Sequence, residues 1–230
     1  MNSDPASSPD VSNHVARLRK LDCCAVSDAL DRLKLGGVVT GLIQQSGTGR
    51  IAGQVITVKL GTGDAPPGPP RHLGTAAVEA ADSNHVIVIE QRTGINAGSW
   101  GGLLSLGAKL RGVAGVVVDG PVRDIDEAIA CEFPIFTHSL TALTARGRIV
   151  EKATNVPVTI AQVSVNPGDY VIADRSAVIF IAAQQITQVL EAAEMIATRE
   201  TAMAQALRAG IPISEVMGGN YEHMLQERPI

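Results

Sequence analysis

The sequence of 230 residues predicts one mixed α/β domain with helices at both ends. In the middle of the chain, β-branched apolar runs at 85–90 and 113–120 alternate with helical patterns at 71–82 and 103–112. This alternation is typical of a parallel sheet. Residues 148–183 are instead rich in predicted strands, with an Asn-Pro-Gly-Asp turn at 166–169, which indicates an antiparallel or mixed part.

The terminal segments predict the flanking helices. Apolar residues recur at three- and four-residue steps over 12–35, with a break near 22–24. Ser27 is the expected N-cap of the second half, and Gly36 and Gly37 are expected to end it. A long alanine-rich helix is predicted over 184–209. The polar residues 1–12 are predicted to be a mobile lead-in to a single domain over 13–230.

Composition excludes several classes of function. The net charge is −4 and aromatic residues make up 3%, so we expect no nucleic-acid partner. There is no run of 18 apolar residues and no apolar segment near the N-terminus, so we expect neither a membrane span nor secretion. The three cysteines form no disulfide framework and suggest buried thiols in a reducing cytoplasm. A charged fraction of only 18% indicates burial against other subunits, as in a homo-oligomer.

A glycine-rich loop enters a predicted helix at Trp100-Gly101-Gly102-Leu103-Leu104. The first amides of a helix have no partners within the helix, and glycines allow a ligand to approach the backbone. This segment therefore predicts a cradle for a small carboxylate or phosphate.

The next predicted strand ends in Gly120-Pro121-Val122-Arg123-Asp124. Ligands of parallel sheets bind beyond the carboxyl ends of strands. Arg123 offers a planar fork to a carboxylate, and Asp124 offers a hard oxygen ligand to Mg²⁺ or Mn²⁺. From spacing alone, both residues could equally be turn and cap residues, and Asp119 could be a turn former instead of a ligand.

These two segments resemble the family of the regulator of ribonuclease activity A (RraA) and the class II 4-hydroxy-4-methyl-2-oxoglutarate aldolases. The specific match is Gly-Val-Ala-Gly-Val-Val-Val-Asp-Gly-Pro-Val-Arg-Asp at 112–124. Weaker similarity extends over residues 25 to 215. The resemblance implies a ββα sandwich of the swivelling-domain type, assembled as trimers or hexamers with active sites between subunits.

The resemblance also implies a chemistry and a set of site residues. Aldolase members break a C–C bond beside a pyruvate unit with a divalent metal, and they decarboxylate oxaloacetate. Asp124 would bind the metal, Arg123 would stabilise the enolate, and the amides at 103–104 would hold the substrate carboxylate, with Gly101 and Gly102 lining the site. Glu200 resembles a family residue that reaches the metal site of a neighbouring subunit, although it could also be an ordinary exposed helix residue.

One departure concerns position 102, where aldolase members carry an acid that holds a water molecule. Gly102 cannot do this, so another carboxylate replaces it, metal binding is weaker, or the reaction differs. Asp64 is a further candidate substitute.

Other candidate residues are weaker. His72, His85, His138 and Cys131 could each be structural. Spacings typical of zinc, serine-hydrolase and nucleotide sites are missing. The leading hypothesis is a metal-dependent lyase of a small oxo-acid. The alternatives are a non-catalytic regulator that binds ribonuclease E, and a diverged member that acts on another small anion.

Overall fold

The computed structural model of the protein describes residues 9–69 and 71–218. Its helices are α1 (Pro9–Leu18), α2 (Cys23–Leu33), α3 (Thr75–Ala80), α4 (Gly102–Leu110), α5 (Ile125–Ala130), α6 (Ile186–Arg208) and α7 (Ile213–Val216). Its strands are β1 (Val38–Val39), β2 (Ile43–Ser46), β3 (Ile51–Gly61), β4 (His85–Glu90), β5 (Gly115–Val122), β6 (Ile135–Leu140), β7 (Val150–Thr154), β8 (Val158–Ile160), β9 (Val163–Val165), β10 (Tyr170–Ala173) and β11 (Val178–Ile181).

The main sheet confirms the predicted mixture of strand directions. Its order is β1-β11-β10-β3-β4-β5-β6-β2, and β7 also pairs with β3. The pairs β3–β4, β4–β5 and β5–β6 are parallel, while the remaining pairs are antiparallel. The carboxyl ends of β4, β5 and β6 therefore meet at one edge, where the sequence analysis placed the site.

The curled sheet has a different cover on each face. One face carries α3, α4 and α5 over β3–β6, and α1, α2 and α6 over β10–β11. The opposite face packs against the β8–β9 hairpin through Val158, Ile160 and Val165. The core consists mainly of Val, Ile, Leu and Ala, which agrees with an aromatic content of 3%.

The N-terminal helices differ in detail from the prediction. Residues 1–8 lie outside the described residues, but α1 already begins at Pro9, so residues 9–12 belong to a helix and not to a lead-in. The N-cap of α2 is Asp22, whose carboxylate accepts a hydrogen bond from the amide of Ala25 at 2.8 Å. Ser27 is an interior residue because this cap starts the helix earlier. The helix ends at Leu33, before the glycines, because Lys34 adopts a left-handed conformation.

Only part of the apolar surface of α4 is buried. Helix α4 packs inward through Leu104, Ser105 and Ala108, whereas Leu103 and Leu110 are 86% and 79% exposed. Leucine spacing alone therefore does not identify the buried face of this helix. No helix among residues 9–69 and 71–218 has the length and apolarity needed to cross a bilayer.

Candidate active site at the start of helix α4

A cleft of about 600 Å³ lies where α4 begins and β5 ends. Its walls come from residues 65, 71–73, 98, 100–104, 123, 124, 127, 144–147, 149 and 150. The six residues predicted for substrate and metal contacts all line it: Gly101, Gly102, Leu103, Leu104, Arg123 and Asp124. The structure thus brings the helix entry and the strand exit to one cavity, as consecutive parallel strands allow.

Backbone hydrogen bonds join the two segments directly. The amide of Ser99 donates to the carbonyl of Pro121 at 2.8 Å, and the amide of Arg123 donates to the carbonyl of Trp100 at 3.0 Å. Trp100 is buried, and its indole nitrogen donates to Ser105 at 2.9 Å. The loop before α4 is therefore held rigidly against the end of β5.

The start of α4 leaves backbone donors facing the cleft. The amide of Gly102 donates to the Asp124 carboxylate at 3.3 Å, and that of Ser105 donates to the carbonyl of Gly101 at 3.0 Å. Between them, the amides of Leu103 and Leu104 donate no hydrogen bond within the part of the chain that the structure describes. Two adjacent free amides at a helix start suit a carboxylate or phosphate oxygen.

Arg123 and Asp124 form the charged centre of the cleft. Nε of Arg123 lies 3.1 and 3.2 Å from the two carboxylate oxygens of Asp124, and both side chains are about one-third exposed. Asp124 has φ 55° and ψ 40°, a left-handed conformation that is uncommon outside glycine. Although Asp124 precedes α5, its side chain does not cap that helix and is directed to the start of α4 instead.

Glycines make room for these charged side chains. A Cβ on Gly98 would lie 2.8 Å from Arg123, and a Cβ on Gly101 would lie 2.9 Å from the Asp124 carboxylate. Both distances are too short for real contacts, so larger residues would displace the charged groups. The glycines near 98–102 are therefore required by close approach.

The space beside Gly102 identifies a further residue of the cleft, Glu127, which the sequence patterns did not predict. A Cβ on Gly102 would lie only 1.6 Å from Oε2 of Glu127, because that carboxylate occupies the space beside the glycine. Glu127 also lines the cleft. It follows Asp124 by three residues, and this helical spacing was a signal that could have placed both acids on one side. A carboxylate thus fills the space at position 102, where the resembled aldolases carry an acid.

The cleft also contains further cationic side chains. Arg71 and Arg146 line it and are exposed, and neither guanidinium forms an ion pair or hydrogen bond among residues 9–69 and 71–218. His72 lines the cleft as well, and its Nδ1 lies 3.0 Å from the carbonyl of Leu73. The rim is therefore more cationic than the protein as a whole.

Glu200 does not reach this cleft within its own chain. It lies on α6, which packs against α2 over the β10–β11 end of the sheet. Burial raises the pKa of its carboxyl, and the nearby charges of Asp22 and Asp28 raise it further. The predicted contribution of Glu200 to a neighbouring subunit's site stays a prediction.

The remaining candidate residues contact other parts of the chain and do not line the cleft. His85 lies 2.7 Å from Asp82, and His138 lies outside the cleft, 3.7 Å from Asp119. The backbone carbonyl of Asp64 accepts a hydrogen bond from Lys152. The thiol of Cys131 donates to the carbonyl of Ala128. Of the three free cysteines only Cys23 is buried, and Cys24 is exposed, so the prediction of buried thiols holds for one of them.

Two acidic residues, one at the end of β4 and one within β5, hold the β8–β9 hairpin. Glu90 accepts a hydrogen bond from the amide of Thr159 at 2.6 Å, and Asp119 accepts one from the amide of Ala161 at 2.8 Å. Asp119 therefore acts neither as a turn former nor as part of the cleft at α4.

The fold and the cleft define a mixed α/β protein in which the start of α4 and the Arg123–Asp124 pair after β5 line one cavity. Residues 23–180 match the family model RraA-like, described as Aldolase/RraA. This match covers more than half of the chain, and the chain belongs to the RraA-like family.

Individual relatives agree with this assignment. A protein of Halalkalibacterium halodurans, named "Putative 4-hydroxy-4-methyl-2-oxoglutarate aldolase", is 30% identical over 182 residues, which are 78% of this chain and 81% of the relative. An uncharacterized protein of Pseudomonas syringae has a crystal structure with a TM-score of 0.80 and 26% identity, covering 90% of this chain and 98% of that one. Streptomyces coelicolor RraAS2, described as an unusual member of the RNase ES inhibitor RraA protein family, has a similar fold with a TM-score of 0.72. Its sequence is 22% identical, and the match covers 86% of this chain and 98% of RraAS2.

Proposed function

We propose that this protein is a divalent-metal-dependent lyase that breaks a C–C bond beside a pyruvate-like unit of a small oxo-acid. The reaction would be retro-aldol cleavage of the 4-hydroxy-4-methyl-2-oxoglutarate type, decarboxylation of oxaloacetate, or both. The observation that carries the proposal is the convergence of two free amides, at Leu103 and Leu104, with Arg123 and Asp124 in one cleft. The name of the Halalkalibacterium relative supports the same reaction class.

Each group has a role in such a reaction. The amides of Leu103 and Leu104 bind the carboxylate of the pyruvate unit and fix its orientation. The Arg123 guanidinium then faces the keto oxygen, on which negative charge develops as the C–C bond breaks. Both cleavage and decarboxylation leave a pyruvate enolate, so one arrangement of donors serves both reactions.

The donor set fits a hard divalent cation held by few protein ligands. No group of three or more His, Cys, Asp or Glu side chains gathers among the residues that the structure describes. Mg²⁺ is commonly held by one or two carboxylates, with water and substrate oxygens completing its coordination. Asp124 would hold Mg²⁺ or Mn²⁺ in this way, and the bound ion would polarise the keto group of the substrate.

The cationic rim favours substrates with a second carboxylate. Arg71 and Arg146 lie on the cleft wall without an ion pair among the described residues, so their guanidinium groups are available to an anion. A planar guanidinium binds a carboxylate with two parallel hydrogen bonds. Dicarboxylic oxo-acids therefore suit this cleft better than pyruvate alone.

The test is a coupled assay of pyruvate release from 4-hydroxy-4-methyl-2-oxoglutarate and from oxaloacetate, with Mg²⁺, with Mn²⁺ and with a chelator. We expect turnover of at least one substrate that depends on the added metal. Folded protein that turns over neither substrate would refute the proposal. Turnover that persists unchanged in the chelator would refute the metal dependence.

A second candidate function is that of a non-catalytic regulator that binds ribonuclease E. The observation in its favour is the apolar face of α4, where Leu103, Leu106 and Leu110 are exposed. The description of the Streptomyces coelicolor relative points the same way. Binding of purified ribonuclease E to this protein, with loss of its RNA cleavage, would support this candidate, and the absence of binding would contradict it.

A further inference from the structure

The carboxylate of Glu127 lies at the start of α4, next to the amides that would bind substrate. Its Oε2 occupies the position 1.6 Å from where a Cβ of residue 102 would be, and its Cδ lies 2.6 Å from that point. Only a glycine at position 102 allows this approach. The carboxylate is therefore directed against the first turn of α4 although Glu127 lies on α5.

Among the described residues, no donor or cation binds the Glu127 carboxylate. It forms no hydrogen bond and no ion pair among residues 9–69 and 71–218, whereas the nearby Asp124 contacts both Arg123 and the amide of Gly102. An acid without a partner can accept and return a proton, because neither charge state loses a hydrogen bond to the protein.

We propose that Glu127 is the proton-transfer residue of this cleft, an inference that rests on the proposed function. The carboxylate takes the proton of the C4 hydroxyl of the substrate. The O–H electron pair becomes the new carbonyl bond as the C3–C4 bond breaks, and the electrons of that bond form the enolate of the pyruvate unit. Protonated Glu127 then gives the proton to C3, which yields the methyl group of pyruvate and regenerates the carboxylate.

Arg123 and Glu127 thereby have separate tasks. Arg123 stabilises the enolate oxygen in every reaction that passes through an enolate. Glu127 is needed only where a proton must be removed from the substrate. Oxaloacetate decarboxylation requires no such removal because carbon dioxide leaves with no base, and solvent can protonate the enolate afterwards. The two residues can therefore be distinguished by reaction type.

The experiment compares three reactions of the metal-loaded full-length protein. These are oxaloacetate decarboxylation, cleavage of 4-hydroxy-4-methyl-2-oxoglutarate, and exchange of the pyruvate methyl protons with D₂O, followed by proton NMR. We expect Glu127→Gln to slow the cleavage and the exchange by about 100-fold or more. Decarboxylation is expected to stay within about threefold of the wild type, because the amide keeps the shape of the side chain but accepts no proton.

The matched control is Asp126→Asn, which neutralises the preceding residue on the same helix. Asp126 is exposed and does not line the cleft, so all three rates should equal those of the wild type. An equal loss of all three reactions in Glu127→Gln would overturn the assignment, and so would unchanged exchange and cleavage. A wild-type protein inactive in all three reactions would instead refute the proposed function, so the two failures are distinct.

A reciprocal exchange tests the position of the carboxylate. Glu127→Gly removes the acid, and Gly102→Asp added to it returns a carboxylate to the same space from α4. We expect the double variant to recover at least tenfold of the methyl-proton exchange lost in Glu127→Gly. Without any recovery, the claim that a carboxylate beside position 102 transfers the proton would be wrong.

Discussion

Acidic side chains lie near the carboxyl ends of the parallel strands in two regions of this molecule, and their surroundings differ. Glu90, the last residue of β4, and Asp119, within β5, accept short hydrogen bonds from the amides of Thr159 and Ala161 in the β8–β9 hairpin. Glu90 is only 9% exposed. A few residues further along, Asp124 contacts Arg123 and one amide, and Glu127 has no partner in the part of the chain described.

The comparison separates acids that stabilise the fold from acids that are available for chemistry. A carboxylate that receives backbone hydrogen bonds contributes to stability, and its removal leaves a backbone donor without a partner. A carboxylate in a cleft with few partners contributes little to stability and retains its capacity for a ligand or a proton. Both regions consist of Asp and Glu residues near the carboxyl ends of β4 and β5, and their hydrogen-bond partners distinguish them.

The largest expected effect is that of Arg123→Ala on turnover. Removing a group that stabilises a developing oxyanion costs about 10²- to 10³-fold in rate. We therefore expect kcat for oxaloacetate decarboxylation to fall by that factor. The midpoint of thermal unfolding should change little because this side chain is one-third exposed. A variant with near wild-type kcat would remove Arg123 from the site.

The next largest effect is expected at Asp119, in the region where acids hold the β8–β9 hairpin. Asp119→Ala removes the acceptor of the Ala161 amide and loosens the hairpin from the sheet. We expect the free energy of unfolding to fall by about 1–3 kcal/mol in urea titrations, the cost of a lost buried partner. Decarboxylation by the folded variant should stay within about twofold of the wild type. A large loss of kcat without a loss of stability would contradict the division between the two regions.

A smaller effect is expected at the rim of the cleft. The double variant Arg71→Ala, Arg146→Ala should raise KM for oxaloacetate about three- to tenfold, as expected for exposed charge pairs. The rate of methyl-proton exchange in pyruvate, which has no second carboxylate, should be unaffected. Arg208→Ala on α6 is the control for a simple change of net charge. Equal losses for both substrates would show that the two arginines do not select dicarboxylates.

The smallest effect concerns Glu200, an acid that lies close to other acids. Because its pKa is raised in the folded protein, the charged form destabilises the fold above that pKa, and the penalty disappears as the pH falls below the ordinary pKa of glutamate. Glu200→Gln should therefore raise the free energy of unfolding at pH 7 by less than about 0.5 kcal/mol. This gain should disappear near pH 4. A loss of stability at pH 7 would contradict this sign.

The same variant tests the predicted role of Glu200 at a neighbouring subunit's site. If Glu200 contributes there, Glu200→Gln should lower kcat for decarboxylation while stability is kept. Measuring both quantities on one preparation separates the structural effect from the functional one.

Much of the site was predictable because its parts are local in the sequence. The glycine loop before α4 and the Arg123-Asp124 pair after β5 each follow from short patterns, and the parallel order of the strands brings them together. Glu127 was missed because its significance depends on Gly102, which is 25 positions earlier in the sequence. The contact between them is formed by the packing of α5 against α4, and a local pattern does not record it.

The order of the central helices and strands, the parallel centre of the sheet and the family of the chain could be read from the sequence. These features depend on hydrophobic periodicity, turn residues and one specific motif, which are all local. The buried face of α4, the two acids that hold the β8–β9 hairpin and the carboxylate that fills the space at Gly102 became visible only in the folded structure. The physical reason is that these outcomes depend on contacts between residues distant in sequence, and burial and hydrogen-bond partners are set only when the elements pack.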